Sequence, residues 1–451
     1  MHAISELADF ISSFPSGKLP AETREAITLL ILDLLGAAGA GFNSALATSA
    51  RTSALEAYGE GKVSIWFAGE RSSVIGAAMA NSTAASALDI DDGHRGAGGH
   101  PGAGIIPAAL AVAQAVGAAD LEIMMAIALG YEVGLRVASC RPVETVEMYA
   151  SGRWVNFGVA AATARLLGLG AEKTAHALAI AGCEGPVVYL SKTSKFDGSS
   201  IKEGIPPAAV AGITAAYRAR GGAKGPLDIL DDDSFFTRKL LTANTGASWE
   251  VQKCYVKPYA CCRYMHAAID AILAVRKVDK PIRSLRIETF PHAMRLANER
   301  VPTTLEGGQY SFYFSCALAA LHGRVALQPV EEERLRDEAV LELASRIELD
   351  TSPLFTSSFP ITTPARAIID QGDGLEEMTV LHPFGDVANP LSPQQITEKF
   401  RNIVRNAVAP RWQDEIVTAT RGLHTAGFDP LFAALMSPES RQTTPTVRVS
   451  R

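Results

Sequence analysis

Runs of small apolar residues, each long enough for a helix, dominate the first 265 positions of the chain. Alanine, glycine, leucine and valine recur in these runs at helical spacing, and short glycine or polar breaks separate one run from the next. The runs are too long for strands, and their small side chains favour close contact between helices. The pattern predicts helices over residues 23–41, 74–90, 105–117, 120–139, 156–167, 171–182 and 204–219.

The pattern changes after Val278, where short β-type segments alternate with helical ones. Strands are predicted for RSLRIETF (283–290), PARAIIDQ (364–371) and MTVLHP (378–383). We therefore expect a mostly α protein, in which residues 1–265 form a large all-helical domain that residues 391–451 complete. Residues 266–390 are expected to form a smaller inserted α+β lid domain. A cleft between two such domains is where small-molecule sites tend to lie.

Composition narrows the class of protein. The 451 residues are 47% apolar and 20% charged, which is the balance of a folded protein with a large core. The net charge is −6 with no basic stripe, so no nucleic-acid partner is expected. The six cysteines have neither zinc-ligand spacing nor the density of a disulfide framework.

The apolar run AITLLILDLLGAAGAGF carries Asp33 and is interpreted as a buried helix, and the first residues lack the features of a signal peptide. We expect a soluble, cytoplasmic protein with no membrane partner.

The stretch ALDIDDGHRGAGGHPGAG concentrates ionisable groups in a glycine-rich loop between alanine-rich helices. Asp89, Asp91 and Asp92 are followed by His94 and His100, a set that suits either a divalent metal or proton transfer, although the register of a calcium loop is absent. A helix end with solvated carboxylates would explain one or two aspartates, but not two histidines in a loop whose glycines let a ligand approach the backbone. We therefore expect Asp89 and His100 to line the cleft, with His94 beside them.

Two later stretches add cationic groups. Lys202 lies in a polar turn before an apolar helix, where burial and the helix dipole would lower the pKa of its ammonium group. In KPYACCRYMHAAIDAIL, Arg263 offers a planar fork suited to a carboxylate, and His266 titrates near neutrality. The alternatives are a surface lysine and a helix start with solvated polar groups. Tyr313, in GGQYSFYFSCALAALHG, lies where aromatic residues are more often part of the core.

Together, these segments resemble the MmgE/PrpD family, which includes 2-methylcitrate dehydratase, cis-aconitate decarboxylase and iminodisuccinate epimerase. The resemblance rests on DIDDGH…HPGAGIIPAALA, GYEVGLRVA, FGVAAATARLLGLGAEKTAHALAIAG, KPYACCRYMHAAIDA and QYSFYFSCALAALHG, in that order along the chain. It implies a mostly helical domain with a smaller α+β lid, a homodimer, and an active site between the domains. It also implies small polycarboxylate substrates and catalysis without a metal.

The site residues of the family's dehydratases and decarboxylases carry over only in part. Asp89 matches the first aspartate of the family's D-x-D-D-T motif, and His100 matches its HPS histidine. Lys202 matches its loop lysine, and His266 lies in its C-x-H-x-x-I-D region. Where the family has a threonine, two histidines and a tyrosine, this chain has Gly93, Trp154, Ile205 and Phe314. Each of these changes removes a proton donor or acceptor.

The lost groups bear on the reaction type. Dehydration needs a base for the carbon and an acid for the leaving hydroxyl, and decarboxylation needs a donor for the developing carbanion. Epimerisation needs a proton removed from one face and returned on the other, with cations beside the enolate-like intermediate. The retained groups resemble the iminodisuccinate epimerase branch most closely. The leading hypothesis is therefore an epimerase of an N-substituted dicarboxylic amino acid that uses no cofactor. A 2-methylcitrate- or aconitate-type lyase is the alternative, and a non-catalytic polycarboxylate-binding protein is a further one.

These hypotheses assign roles to particular residues. Lys202 and His266 are expected to transfer the protons, with Asp89 and His100 as further catalytic residues. Tyr149 is expected to replace the histidine donor that the family has at position 154. The expected substrate-binding residues, led by Arg263 as the carboxylate clamp, are Arg263, His94, Trp154 and Tyr313.

Overall fold

Helices make up most of the computed structural model, which describes residues 1–141, 150–186 and 201–436. The helices of the first half are α1 (Ala3–Ser13), α2 (Ala21–Gly41), α3 (Ala45–Glu56), α4 (Val74–Ser86), α5 (Gly102–Val116), α6 (Asp120–Ser139), α7 (Gly152–Leu166), α8 (Ala171–Glu184) and α9 (Ile205–Arg220). Each of the seven helices predicted from the periodicity is present, with ends within four residues of the predicted ones. The mostly helical fold class is confirmed.

Small residues let the central helices approach closely. The helix α7 packs against α5, α6, α8 and α9, and glycines face each other where it meets α6. A Cβ atom on Gly158 would lie 2.5 Å from the carbonyl oxygen of Gly130, so any larger residue there would force the two helices apart. The alanine- and glycine-rich composition is therefore a consequence of tight helix packing.

A four-stranded sheet organises the smaller α+β region. The strands of the described residues are β1 (Val63–Ile65), β2 (Glu70–Ser72), β3 (Gly93–His94), β4 (Cys254–Tyr255), β5 (Ser284–Thr289), β6 (Glu348–Thr351), β7 (Ala365–Asp370) and β8 (Leu375–Val380). The short helix α10 (Arg238–Thr242) packs against α1 and α6 of the helical region. The helices of the smaller region are α11 (His266–Val275), α12 (Leu305–Gln309), α13 (Phe312–His322) and α14 (Glu338–Arg346). The sheet has the order β6-β5-β7-β8, with β5 and β6 parallel and the other pairs antiparallel.

The predicted strands at 283–290 and 364–371 are confirmed as β5 and β7. The third, predicted at 378–383, starts earlier and ends at Val380. Alternate residues of β7 are buried, and α11 packs against β7, β8 and α13. This layer of helix on sheet places the start of α11 at the junction with the helical region.

After the sheet the chain returns to the helical region. The last described helices are α15 (Pro393–Val404), α16 (Pro410–Arg421), α17 (Leu423–Ala426) and α18 (Asp429–Leu435). Both α15 and α16 pack against α2, and a Cβ atom on Gly36 of α2 would lie 3.0 Å from the side chain of Ile403. The limits of the two predicted domains stay a prediction.

The apolar run in α2 is buried, as its interpretation as a core helix requires. Among the helices of the described residues, none by itself has the length and hydropathy needed to cross a membrane. By length and composition alone, α2 and α3 would pass that test together, as a pair bent by 95°.

Candidate active site

The loop between α4 and α5 holds three buried aspartates. Asp89, Asp91 and Asp92 are at most 3% exposed, and Asp89 turns the chain with a φ of +53°, a left-handed conformation rare for residues other than glycine. Asp92 supports the loop, because its carboxylate accepts hydrogen bonds from the Gly102 amide and the Tyr131 hydroxyl, both at 3.0 Å. The remaining two carboxylates need cationic or hydrogen-bonding partners to offset their burial.

His100 lies between these two carboxylates. Its Nε2 is 3.5 Å from Asp89 Oδ1, and its Nδ1 is 3.4 Å from Asp91 Oδ2. Nδ1 also donates to the carbonyl oxygen of Asp92 at 2.9 Å. Burial lowers the pKa of His100, but the charges of Asp91 and Asp89 outweigh that effect and raise the pKa to about 9. At neutral pH, His100 is therefore a buried imidazolium that can donate a proton.

Lys257 supplies a second cation that the sequence analysis did not assign. Its Nζ lies 2.9 Å from Asp89 Oδ2, and the side chain is fully buried. Burial would raise the pKa of the Asp89 carboxyl, but Lys257 and His100 hold it well below its ordinary range. Asp89 thus stays ionised between two cations. Lys257 is the first residue of the segment KPYACCRYMHAAIDA, but none of its neighbours along the chain indicates a partner in the α4–α5 loop.

A second turn of unusual backbone geometry presents Lys202. Lys202, Glu203 and Gly204 have φ values of +49°, +56° and +72°, so three successive residues before α9 are left-handed. The Lys202 Nζ donates to Gln309 Oε1 at 2.5 Å. Burial lowers the pKa of Lys202, in the direction expected from its sequence position, and the nearby Asp89 charge opposes the shift. Non-glycine residues in this conformation tend to cluster at functional sites.

Glu203 connects the Lys202 turn to His100 through Ser151. The Glu203 carboxylate accepts hydrogen bonds from the Ser151 hydroxyl at 2.5 Å and from the Ser151 amide at 3.2 Å. The same hydroxyl accepts a hydrogen bond from the backbone amide of His100 at 3.0 Å. Burial raises the pKa of Glu203. The sequence analysis assigned no role to Glu203 or Ser151, because their contacts depend on the tertiary fold.

Arg263 and His266 contact each other at the start of α11. Arg263 Nη1 donates to His266 Nδ1 at 3.1 Å, and His266 Nε2 donates to the Cys261 carbonyl oxygen at 3.1 Å. Burial, followed by the charge of Arg263, lowers the pKa of His266 well below its ordinary value. His266 is therefore neutral with both ring nitrogens bonded, and must lose a bond before it can accept a proton. This geometry suits a positioning role better than the predicted proton transfer with Lys202.

The other predicted residues are placed differently. His94 turns its Nε2 towards Glu250 at 3.4 Å, and its Nδ1 accepts a hydrogen bond from the Ala97 amide, so it secures the loop. The Arg300 guanidinium carbon lies over the Tyr313 ring, 3.7 Å from the ring centre. Tyr149 lies outside the described residues. Its assignment as a donor stays a prediction.

Apolar or aromatic groups fill the positions where family donors are missing. A Cβ atom on Gly93 would lie 2.4 Å from the Tyr255 hydroxyl oxygen, so this tyrosine occupies the space of a side chain at 93. A Cβ atom on Gly99, the residue before His100, would lie 3.1 Å from the Trp154 indole. Phe314 is 1% exposed and packs against Gly308, the residue before Gln309.

The same cluster offers ligands for a metal ion. One atom from each of Asp89, Asp91 and His100 lies within 4.8 Å of the others, and two carboxylate oxygens with an imidazole nitrogen suit a divalent cation. The charges present fit such an ion poorly, because Lys257 already pairs with Asp89 and His100 would have to release its proton. Metal-free catalysis stays a prediction.

Two protein-family models match successive parts of the chain. The MmgE/PrpD N-terminal domain matches residues 5–247, and the MmgE/PrpD C-terminal domain matches residues 259–424. The chain belongs to the MmgE/PrpD family, whose members are enzymes.

Similar proteins over almost the whole length include a cis-aconitate decarboxylase-like protein of Aspergillus oryzae, which is 24% identical over 96% of this chain and 97% of its own. The cis-aconitate decarboxylase of Aspergillus terreus is 23% identical over 96% of both chains. The human cis-aconitate decarboxylase is 27% identical over 72% of this chain and 71% of its own. These names favour the lyase alternative over the epimerase that the sequence analysis preferred.

Proposed function

We propose that this protein is a lyase that removes one carboxylate from a small unsaturated polycarboxylate of the cis-aconitate type. The observation that carries the proposal is the His100 imidazolium, which Asp89 and Asp91 hold in its charged form. A carbon that loses CO₂ keeps the electron pair of the broken bond and must be protonated. A buried acid beside that carbon supplies the proton.

The chemistry balances with the groups present. The C–C bond to one carboxylate breaks, CO₂ leaves, and its bonding electrons move into the conjugated framework of the substrate. His100 gives its proton to the resulting carbanion and regains one from solvent. The Lys257 ammonium group contacts Asp89, the Lys202 ammonium group interacts electrostatically with the same carboxylate, and both would stabilise the negative charge that develops. The names of the relatives support this chemistry, and the residues of this chain provide its acid.

An epimerase of an N-substituted aspartate is the second candidate. Burial lowers the pKa of Lys202, which favours a lysine that can act as a base, and His100 could return the proton. Both reactions use the same cluster. They differ in whether a carbon–carbon bond breaks.

NMR spectroscopy in deuterated water separates the two candidates. With cis-aconitate, we expect release of CO₂ and incorporation of one deuterium into the product, while iminodisuccinate stereoisomers remain unchanged. We expect His100→Asn to lower turnover by at least about 100-fold, since general acid catalysis contributes this much. Lys280→Met, which removes an exposed lysine paired with Asp373, is the matched control and should be fully active. Deuterium exchange at the α-carbon of iminodisuccinate, with cis-aconitate untouched, would reject the lyase in favour of the epimerase.

A further inference from the structure

Two guanidinium groups share one carboxylate beside the candidate site. Asp386 Oδ2 accepts a hydrogen bond from Arg263 Nη2 at 3.1 Å and another from Arg95 Nη2. Arg95 belongs to the α4–α5 loop, Arg263 precedes α11, and Asp386 lies in the turn after β8. Three distant parts of the chain therefore meet at this carboxylate.

The charges in this cluster do not balance. Within residues 1–141, 150–186 and 201–436, Asp386 is the only carboxylate at ion-pair distance from either arginine. The side chains of Arg263 and Asp386 are 6% and 5% exposed and that of Arg95 is 20% exposed, so the second positive charge of the cluster is only partly exposed to solvent. Arg95 Nη1 and Arg263 Nε are also buried, with no hydrogen-bond partner among the residues that the structure describes. A cation that is removed from solvent and has unbonded donors destabilises the protein unless an anion binds to it.

The cluster borders the proposed catalytic groups across one aromatic ring. The Arg263 guanidinium lies 4.6 Å from the centre of the Tyr255 ring. The hydroxyl end of the same ring packs against Gly93, and β4 pairs Tyr255 with Gly93. Gly93 and Arg95 belong to the loop that carries Asp89 and His100. The Tyr255 ring therefore lies between the Arg263 guanidinium and the loop that carries His100.

We propose that Arg95 and Arg263 form a carboxylate subsite, in which a substrate carboxylate accepts hydrogen bonds from Arg95 Nη1 and Arg263 Nε. The bound carboxylate would share the two guanidinium groups with Asp386. This inference rests on the proposed function and deepens it: the substrate must carry a carboxylate that is held here in addition to the one that reacts. Arg263 was expected from the sequence to bind a carboxylate, and Arg95 and the shared Asp386 come from the structure.

Calorimetric binding of unreactive acids tests the subsite without any need for turnover. The probes are tricarballylate and the two dicarboxylates obtained by removing one of its carboxylates, glutarate and methylsuccinate. Arg95→Gln should weaken tricarballylate binding by about 10- to 100-fold, the range for a hydrogen bond between charged groups. It should leave the affinity for at least one dicarboxylate unchanged, because that probe lacks the group held by Arg95. Arg324→Gln is the control, since exposed Arg324 stacks on Phe384 in the same turn but lies outside the cluster.

A second variant predicts a change of opposite sign. Asp386→Asn removes the competing carboxylate, so tricarballylate should bind more tightly, which general destabilisation would not produce. The subsite is rejected if Arg95→Gln weakens all three acids equally or none of them, or if Asp386→Asn fails to tighten binding. A protein that binds tricarballylate through Arg95 but does not decarboxylate cis-aconitate would retain the subsite and reject the proposed reaction.

Discussion

A second buried ion pair lies beneath the active-site loop and supports a quantitative prediction. Lys399 Nζ, from α15, lies 2.5 Å from Asp33 Oδ1 in α2 and donates to the Ile90 carbonyl oxygen at 2.8 Å. The two side chains are 2% and 0% exposed. Because Ile90 separates Asp89 from Asp91, Lys399 fixes the backbone from which both carboxylates around His100 project. The helix that follows the sheet thereby holds the loop in place.

Replacing this lysine should destabilise the protein strongly. Lys399→Met leaves the Asp33 carboxylate buried without its cation, and breaking one side of such a pair costs about 3–5 kcal/mol. The Ile90 carbonyl loses a donor, which adds about 1–3 kcal/mol. Protonation of Asp33, whose pKa burial already raises, relieves part of the charge penalty. We therefore expect a net loss of about 3–5 kcal/mol in the free energy of unfolding.

Urea unfolding followed by circular dichroism measures this loss. The double variant Asp33→Asn/Lys399→Met should recover about half of it, since no unpaired charge then remains. The deficit of the single variant should shrink as the pH falls, because a carboxyl with a raised pKa in the folded state costs stability only as it ionises. Lys280→Met removes an exposed ion pair and should change stability little. A loss below about 1 kcal/mol for Lys399→Met, or a larger one for the double variant, would refute the reasoning.

Three further predictions follow from the site. Against the opposing effect of burial, the surrounding carboxylates raise the pKa of His100 in the folded state to about 9, above its ordinary 6.5. The charged His100 therefore contributes about 3 kcal/mol to the free energy of unfolding below pH 6.5, and this contribution disappears as the pH rises through 9. In His100→Asn, the urea midpoint should lack this dependence on pH. Gly93→Ala should lower the thermal midpoint, because its Cβ would meet Tyr255; an unchanged midpoint would contradict the packing. Exhaustive chelation should leave turnover intact, and a loss that a divalent ion restores would show a metal at Asp89, Asp91 and His100.

The sequence predicts those features that depend on neighbours along the chain. The seven helices and two of the three strands follow from local periodicity, and Asp89 and His100 meet because one short loop carries both. Lys257 could not be assigned in this way, since its partner Asp89 is distant in sequence. The pKa of His266 likewise depends on burial and on a hydrogen bond from Arg263, which the residue types alone do not specify. Side-chain contacts, protonation states and the partners of hydrogen-bond donors can be read only from the folded structure.

The residues missing from the family pattern distinguish between lyase reactions. Elimination of water requires an acid positioned at the leaving hydroxyl as well as a base at the carbon. Loss of CO₂ requires neither, because the departing group leaves as a neutral molecule, and only the carbanion must then be protonated. Trp154 and Phe314 stand where the family has a histidine and a tyrosine, whereas His100 remains protonated between two carboxylates. Two donors of the family pattern that dehydration would use are therefore replaced by Trp154 and Phe314, whereas the proposed decarboxylation needs only the proton of His100.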